Sequence, residues 1–166
     1  MGYYLCKHLH DEGAQLIVTD IDQQLIDRVV DEFSAKVVEP DAIYDQEVDI
    51  YAPCALGATL NDDTIGRLKC SIIAGAANNQ LAKDRHGQVL MSNGVLYVPD
   101  YIVNAGGIIN ISFEENYQQE AAYKKVDEIY GTLMEVFEAS ARDDMPTNII
   151  ADQLARERIA NAKVKS

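Results

Sequence analysis

The sequence predicts an α/β domain built on a doubly wound parallel sheet. Short apolar runs of strand length alternate with longer segments of helical period. The runs are apolar at successive positions, as strands covered on both faces require. Pro or Asp closes most of them, marking where each strand stops. A chain of 166 residues suffices for one domain with a buried core.

Residues 2–13 (GYYLCKHLHDEG) read as an amphipathic helix, with Tyr4, Leu5, His8 and Leu9 on one face and Gly13 as its stop. Residues 16–20 (LIVTD) read as a buried strand ending in an acid. Asp22 can cap a helix over 23–33, which turns Leu25, Ile26, Val29, Val30 and Phe33 inward. A minor strand over 36–38 and a turn of helix over 41–44 follow. Residues 48–52 (VDIYA) give a firm strand closed by Pro53. A short helix over 61–68 leads to a strand over 71–74 (SIIA). Helix is expected over 81–92 with a break near Gly87, then a strand over 95–98 (VLYV) ended by Pro99. From residue 108 onward the pattern is helical, over 108–116, 120–142 and 147–163. The last two are parted by Met145-Pro146. Residues 1–166 are expected to form one domain, with 108–166 as its helical extension.

The formal charge is −13, from 27 acids against 14 Lys and Arg. Such a surface repels phosphate backbones, so neither nucleic acid nor an anionic membrane is an expected partner. No apolar run approaches transmembrane length and no signal peptide is visible. Cys6, Cys54 and Cys70 are widely spaced and form no CxxC or Cys/His cluster, so no metal site is expected. Reduced thiols and a cytoplasmic location fit this usage. His8 reads as helix packing, and His10 and His86 as surface. Tyr117, Tyr123 and Tyr130 read as a helix-packing stripe.

A dinucleotide-binding unit needs a strand, a glycine-rich turn, a helix, and a second strand ending in an acid. This chain holds the helix, the second strand and the acid. Gly2 stands where the third glycine of that fingerprint belongs, and Asp20 closes the strand. The first strand and two glycines are missing. The expected fold is therefore a Rossmann-like sheet lacking its first, central strand, as in a truncated reading frame. Both neighbours of that strand would carry unpaired backbone groups, which invites aggregation. A carboxylate at Asp20 can accept from ribose hydroxyls and would repel a 2′-phosphate, which favours NAD over NADP. The plainer reading of Asp20 is a helix cap, a task open to Asp22.

Three loops follow strands, where open α/β sheets bind ligands. Residues 52–57 (APCALG) include Cys54, read as a small packed thiol rather than a nucleophile. Residues 75–80 (GAANNQ) clear space with small side chains and offer paired amides, or are simply an Asn-rich turn. Residues 99–112 (PDYIVNAGGIINIS) hold Asn104 before Gly106 and Gly107. Those glycines permit close backbone approach or positive φ. Ile108 and Ile111 then project from one helical face, to a pocket or to the core.

Taken with residues 72–81 (IIAGAANNQL), that run resembles the cofactor-binding half of the glutamate/leucine/phenylalanine/valine dehydrogenase family. The resemblance extends from Gly2 to about Lys163 and is nearest to the members acting on leucine. It implies NAD as cofactor, held around Gly2, Asp20, Ile21, Cys54, Ala55, Leu56, Ala77, Asn78, Asn79 and Asn104. It implies a substrate pocket shaped by Asn79, Ile108 and Ile111. Glutamate dehydrogenases typically place a serine at the position of Ile111, to meet a carboxylate. An isoleucine there argues for an apolar, branched-chain substrate such as leucine. The implied reaction is oxidative deamination to a 2-oxo acid and ammonia. In the family a preceding substrate domain supplies the catalytic lysine and aspartate, so no catalytic residue is expected in this chain. The chain alone is expected to be inactive, and the complete enzyme a homo-oligomer. A phenylalanine or valine specificity, or a non-catalytic nucleotide-binding remnant, are the alternatives.

Overall fold

The computed structural model describes residues 1–113 and 118–164. Five short strands are β1 (Ile17–Val18), β2 (Lys36–Val37), β3 (Ile50–Tyr51), β4 (Ile72–Ile73) and β5 (Leu96–Tyr97). Seven helices are α1 (Gly2–Asp11), α2 (Gln23–Phe33), α3 (Arg85–Ser92), α4 (Asp100–Val103), α5 (Gly106–Ser112), α6 (Gln119–Asp143) and α7 (Thr147–Val164). All pairings between these strands are parallel. They form two sheets, ordered β1-β2 and β3-β4-β5. β1 and β3 each have one paired neighbour, so each leaves an edge open among the described residues. The regular strands are shorter than the apolar runs, yet the ladders continue beyond them. Lys36 N–H donates to Leu16, Ala74 N–H to Tyr51 and Val98 N–H to Ile73.

Local chemistry explains the helix ends. Asp22 caps α2, its Oδ1 accepting from Gln24 N at 2.9 Å. Gly13, at φ 84°, ends α1 in the left-handed conformation a glycine adopts without strain. The inward face of α1 differs from expectation. Tyr4 is exposed. Tyr3 instead packs on Phe33 of α2, with ring centroids 5.5 Å apart, under the Arg28 guanidinium. Residues 61–68 tighten to a 3₁₀ turn at Ile65–Arg67, because the Asn61 and Thr64 side chains bond locally. Helix 81–92 begins only at Arg85 and runs through Gly87 unbroken. Its glycine permits contact instead, since a Cβ there would lie 2.0 Å from Asn148 Oδ1.

Three separate clusters make the core. Val29, Phe33 and Ala35 pack with α1 and β1. Leu60, Ile65, Ile73, Leu90 and Tyr97 pack around β3–β5. Val136, Ala139, Ile150 and Ala151 join α6 to α7. Helical structure begins at Asp100, before the expected 108, and residues 114–116 and Tyr117 lie outside the described residues. Tyr123 and Tyr130 are exposed rather than packed.

His86 is a correction. It is 1% exposed, not on the surface. Its Nδ1 accepts from Lys83 N at 3.1 Å, which leaves Nε2 to donate to Asp62 at 3.2 Å. Both ring nitrogens are thus satisfied, which is what allows burial. No helix among the described residues is long and apolar enough to cross a membrane.

Candidate nucleotide and substrate site

The loops after β3 and β4 are joined backbone to backbone. Ala77 N donates to Pro53 O at 2.9 Å and Ala58 N to Asn79 O at 2.7 Å. Two glycines make that approach possible. A Cβ on Gly75 would lie 2.1 Å from Pro53 O, and one on Gly57 2.7 Å from Asn78 O. Gln80 is fully buried and ties the second loop internally, donating through Nε2 to Gly75 O and Ala77 O.

This loop turns sharply at Asn79, whose φ is 53°. Asparagine tolerates that left-handed conformation better than most residues. The turn is pinned from α4, where Asp100 Oδ2 accepts from Asn79 N at 2.6 Å. Asp100 Oδ1 accepts from the Tyr97 hydroxyl at 2.8 Å. Burial, then the bond to Asp100, holds the Tyr97 hydroxyl far above the usual phenol range. Thr147 Oγ1 donates to Tyr97 O at 2.6 Å and so connects α7 to this network. Asp100 receives no role from the sequence pattern. Its role depends on contacts across 21 residues that no local pattern carries.

The turn presents the amides together. Asn104 Nδ2 donates to Asn78 Oδ1 at 2.7 Å, across 26 residues of sequence. Asn78 and Asn79 are exposed. Ala77 is buried and offers only backbone. Gly2, at the start of α1, meets the next loop, with its notional Cβ 3.6 Å from Cys54 Cβ. Ala55 and Leu56 are exposed beside it. The structure therefore brings Gly2, the 54–57 loop, Asn78, Asn79 and Asn104 into one continuous surface.

Asp20 and Ile21 follow β1, and both are exposed. Asp20 Oδ1 accepts from Asp22 N at 3.0 Å, while Asp22 takes the capping role. Ile108 and Ile111 are 75% and 65% exposed, so neither belongs to the core. They do not line the neighbouring cleft of about 190 Å³, whose walls include Gly106, Ile109, Asn110, Ala122 and Tyr123. Of the two roles expected for Gly106 and Gly107, the positive-φ one is not met. Neither has positive φ, and a Cβ on either would meet nothing within 4 Å. The room they leave is not taken by any part of the described chain.

Comparison with known proteins fits this arrangement. The glutamate/leucine/phenylalanine/valine dehydrogenase model matches residues 3–165. The leucine dehydrogenase of Bacillus cereus is 56% identical over 164 residues, covering 98% of this chain and 45% of that protein. The crystal structure of L-tryptophan dehydrogenase from Nostoc punctiforme superposes with a TM-score of 0.93 at 49% identity, covering 96% of this chain and 48% of that one. The hetero-hexameric glutamate dehydrogenase of Thermus thermophilus, in its Leu-bound form, shares the fold at a TM-score of 0.73 and 16% identity, covering 99% of this chain and 45% of that one. The chain spans about half the length of the curated relatives it matches.

Proposed function

The chain belongs to the glutamate/leucine/phenylalanine/valine dehydrogenase family, and on that footing we propose that it forms the NAD-binding part of an enzyme that oxidatively deaminates leucine. The two sheets are read as parts of one doubly wound Rossmann sheet without its first strand. The observation that carries this reading is the hydrogen bond from Asn104, between α4 and α5, to Asn78 on the loop that Asp100 and Gln80 hold. Two amides held together beside open glycines suit a ligand that needs both donors and acceptors.

The residues present fit such a cofactor. Asp20 commits one carboxylate oxygen to Asp22 N, and its exposed position leaves the group open to ribose hydroxyls. Gly2 lets a ligand approach the N-terminus of α1, where free N–H groups favour phosphate. Cys54, Ala55 and Leu56 cover the ribose and pyrophosphate region, with Ile21 as an exposed apolar flank and Ala77 shaping the loop through its buried backbone. Gly106 and Gly107 leave room for the nicotinamide face. Bound NAD supplies the hydride acceptor. Asn78, Asn79 and Asn104 orient that ring and the amino acid, while Ile108 and Ile111 meet its side chain. The proton-transfer groups come from outside this chain, and the complete enzyme is a cytoplasmic homo-oligomer. An indole side chain is the second reading, favoured by the match to the tryptophan dehydrogenase.

Two measurements test these assignments, in a chimera where this chain replaces the matching segment of a leucine dehydrogenase. Asp20→Ala should weaken NAD binding by about 1.5–3 kcal/mol, the value of hydrogen bonds to a charged acceptor, and relax discrimination against NADP. Unchanged affinity for both cofactors would remove Asp20 from the site. Ile111→Ser should lower kcat/KM for leucine roughly 10–200-fold, the usual scale for lost hydrophobic complementarity. Assays with leucine and tryptophan side by side distinguish the two substrate readings. A chimera lacking all turnover, while still binding NAD, would favour the non-catalytic remnant.

A further inference from the structure

Cys6 lies on α1 and Cys54 in the loop after β3, and both thiols are free and partly buried. A Cβ on Gly2 would lie 3.6 Å from the Cβ of Cys54. Gly2 and Cys6 stand four residues apart on one helix, so they share a face, with about 5–6 Å between their Cβ positions. Helical side chains lean toward the N-terminus of their helix. The Cys6 Cβ therefore leans toward Gly2, which itself faces Cys54. The electrostatics agree with this placement. Burial pushes the Cys6 thiol up, and charge on Cys54 pushes it further. Cys70 differs, packing instead against the β3–β5 core, where burial alone raises it.

We propose that Cys6 and Cys54 are a redox pair that closes to an intramolecular disulfide under mild oxidation. Hydrogen peroxide is a sufficient oxidant. Cys54 sulfur attacks one peroxide oxygen, giving a sulfenic acid and one water. Cys6 sulfur then attacks Cys54 sulfur, the S–S bond forms, and the sulfenic oxygen departs with the Cys6 proton as a second water. Two thiols are oxidised by two electrons, and one peroxide is reduced to two waters. The bond ties α1, and with it the Val29–Phe33–Ala35 cluster against which Cys6 packs, to the loop leaving β3. It thus links two sheets that share no strand pairing among the described residues.

Chain entropy gives a competing pairing that makes the test decisive. In an unfolded chain Cys54 and Cys70 enclose the shortest loop, so that bridge forms preferentially. The whole chain is treated with a limited amount of hydrogen peroxide, in buffer and in concentrated urea. Remaining thiols are alkylated, and the peptides are mapped by mass spectrometry without reduction. In buffer, Cys6–Cys54 should be the major bridge with Cys70 alkylated; in urea, Cys54–Cys70 should replace it. The oxidised native protein should melt at a higher temperature and revert with dithiothreitol. Cys70→Ser should keep the bridge and the shift, while Cys54→Ser should lose both. A native sample dominated by Cys54–Cys70 or intermolecular bridges, or one whose thiols all stay alkylatable, overturns the proposal.

Discussion

Asp100→Ala should lower the stability of the chain by about 2–4 kcal/mol, because it orphans two donors at once. Asp100 is 7% exposed and accepts from both Asn79 N and the Tyr97 hydroxyl. Removing the carboxylate leaves the buried Tyr97 phenol without its acceptor and the Asn79 N–H without its protein partner. It also frees the left-handed turn at Asn79, so the amide surface loses its shape together with its anchor. Asp100→Asn should recover only part of the loss. One oxygen can still accept, but the amide nitrogen opposes whichever donor it faces. Urea unfolding of the three proteins measures the series. Equal midpoints for wild type and Asp100→Ala would remove Asp100 as the anchor of the loop.

Gly75→Ala should be of similar severity, for a steric reason. The new Cβ would lie 2.1 Å from Pro53 O and 2.5 Å from Pro53 N, so backbone must move rather than a flexible side chain. Overpacking of this kind costs about 1–3 kcal/mol, and more where backbone is the obstacle. The Ala77 N–Pro53 O bond at 2.9 Å would stretch with it, loosening both loops. Gly106→Ala is the matched control. It opens α5 at a φ that alanine accepts, with nothing within 4 Å of the added carbon, so the lower entropy of the unfolded chain should stabilise the protein by about 0.4–1 kcal/mol. Thermal melts of the two variants should therefore move in opposite directions. A Gly75→Ala midpoint at or above wild type would show that the loops do not need this contact.

How much of this was legible depended on the range of the interactions. α2 runs over Gln23–Phe33 as its spacing and its Asp22 cap predict, because both signals are local. The parallel pairing follows from the alternation of strands with helices. Gly87 misled because a glycine in a helix reads as a break, whereas here it makes room for Asn148 from another helix. His86 misled because polarity suggests exposure, whereas its two nitrogens find Lys83 N and Asp62. In the candidate site, the residues that present amides were visible in the sequence. The residues that hold them, Asp100 and Gln80, were not singled out. Holding is a matter of tertiary hydrogen bonds, and a sequence records those only as ordinary polar side chains.

The division of the interior into three clusters bears on how the chain loses its structure. Among the described residues, no backbone ladder runs from the first sheet to the second. Opening the β1–β2 region therefore breaks no strand pairing in the other, and its cost is set by its own few buried groups. Cooperativity between the regions must pass through side chains and loops, which transmit it less rigidly than shared hydrogen bonds do. The helix that begins at Gly2 and the loop at Cys54 meet at one such junction. The ordering of that junction governs whether the molecule melts as one unit or in stages.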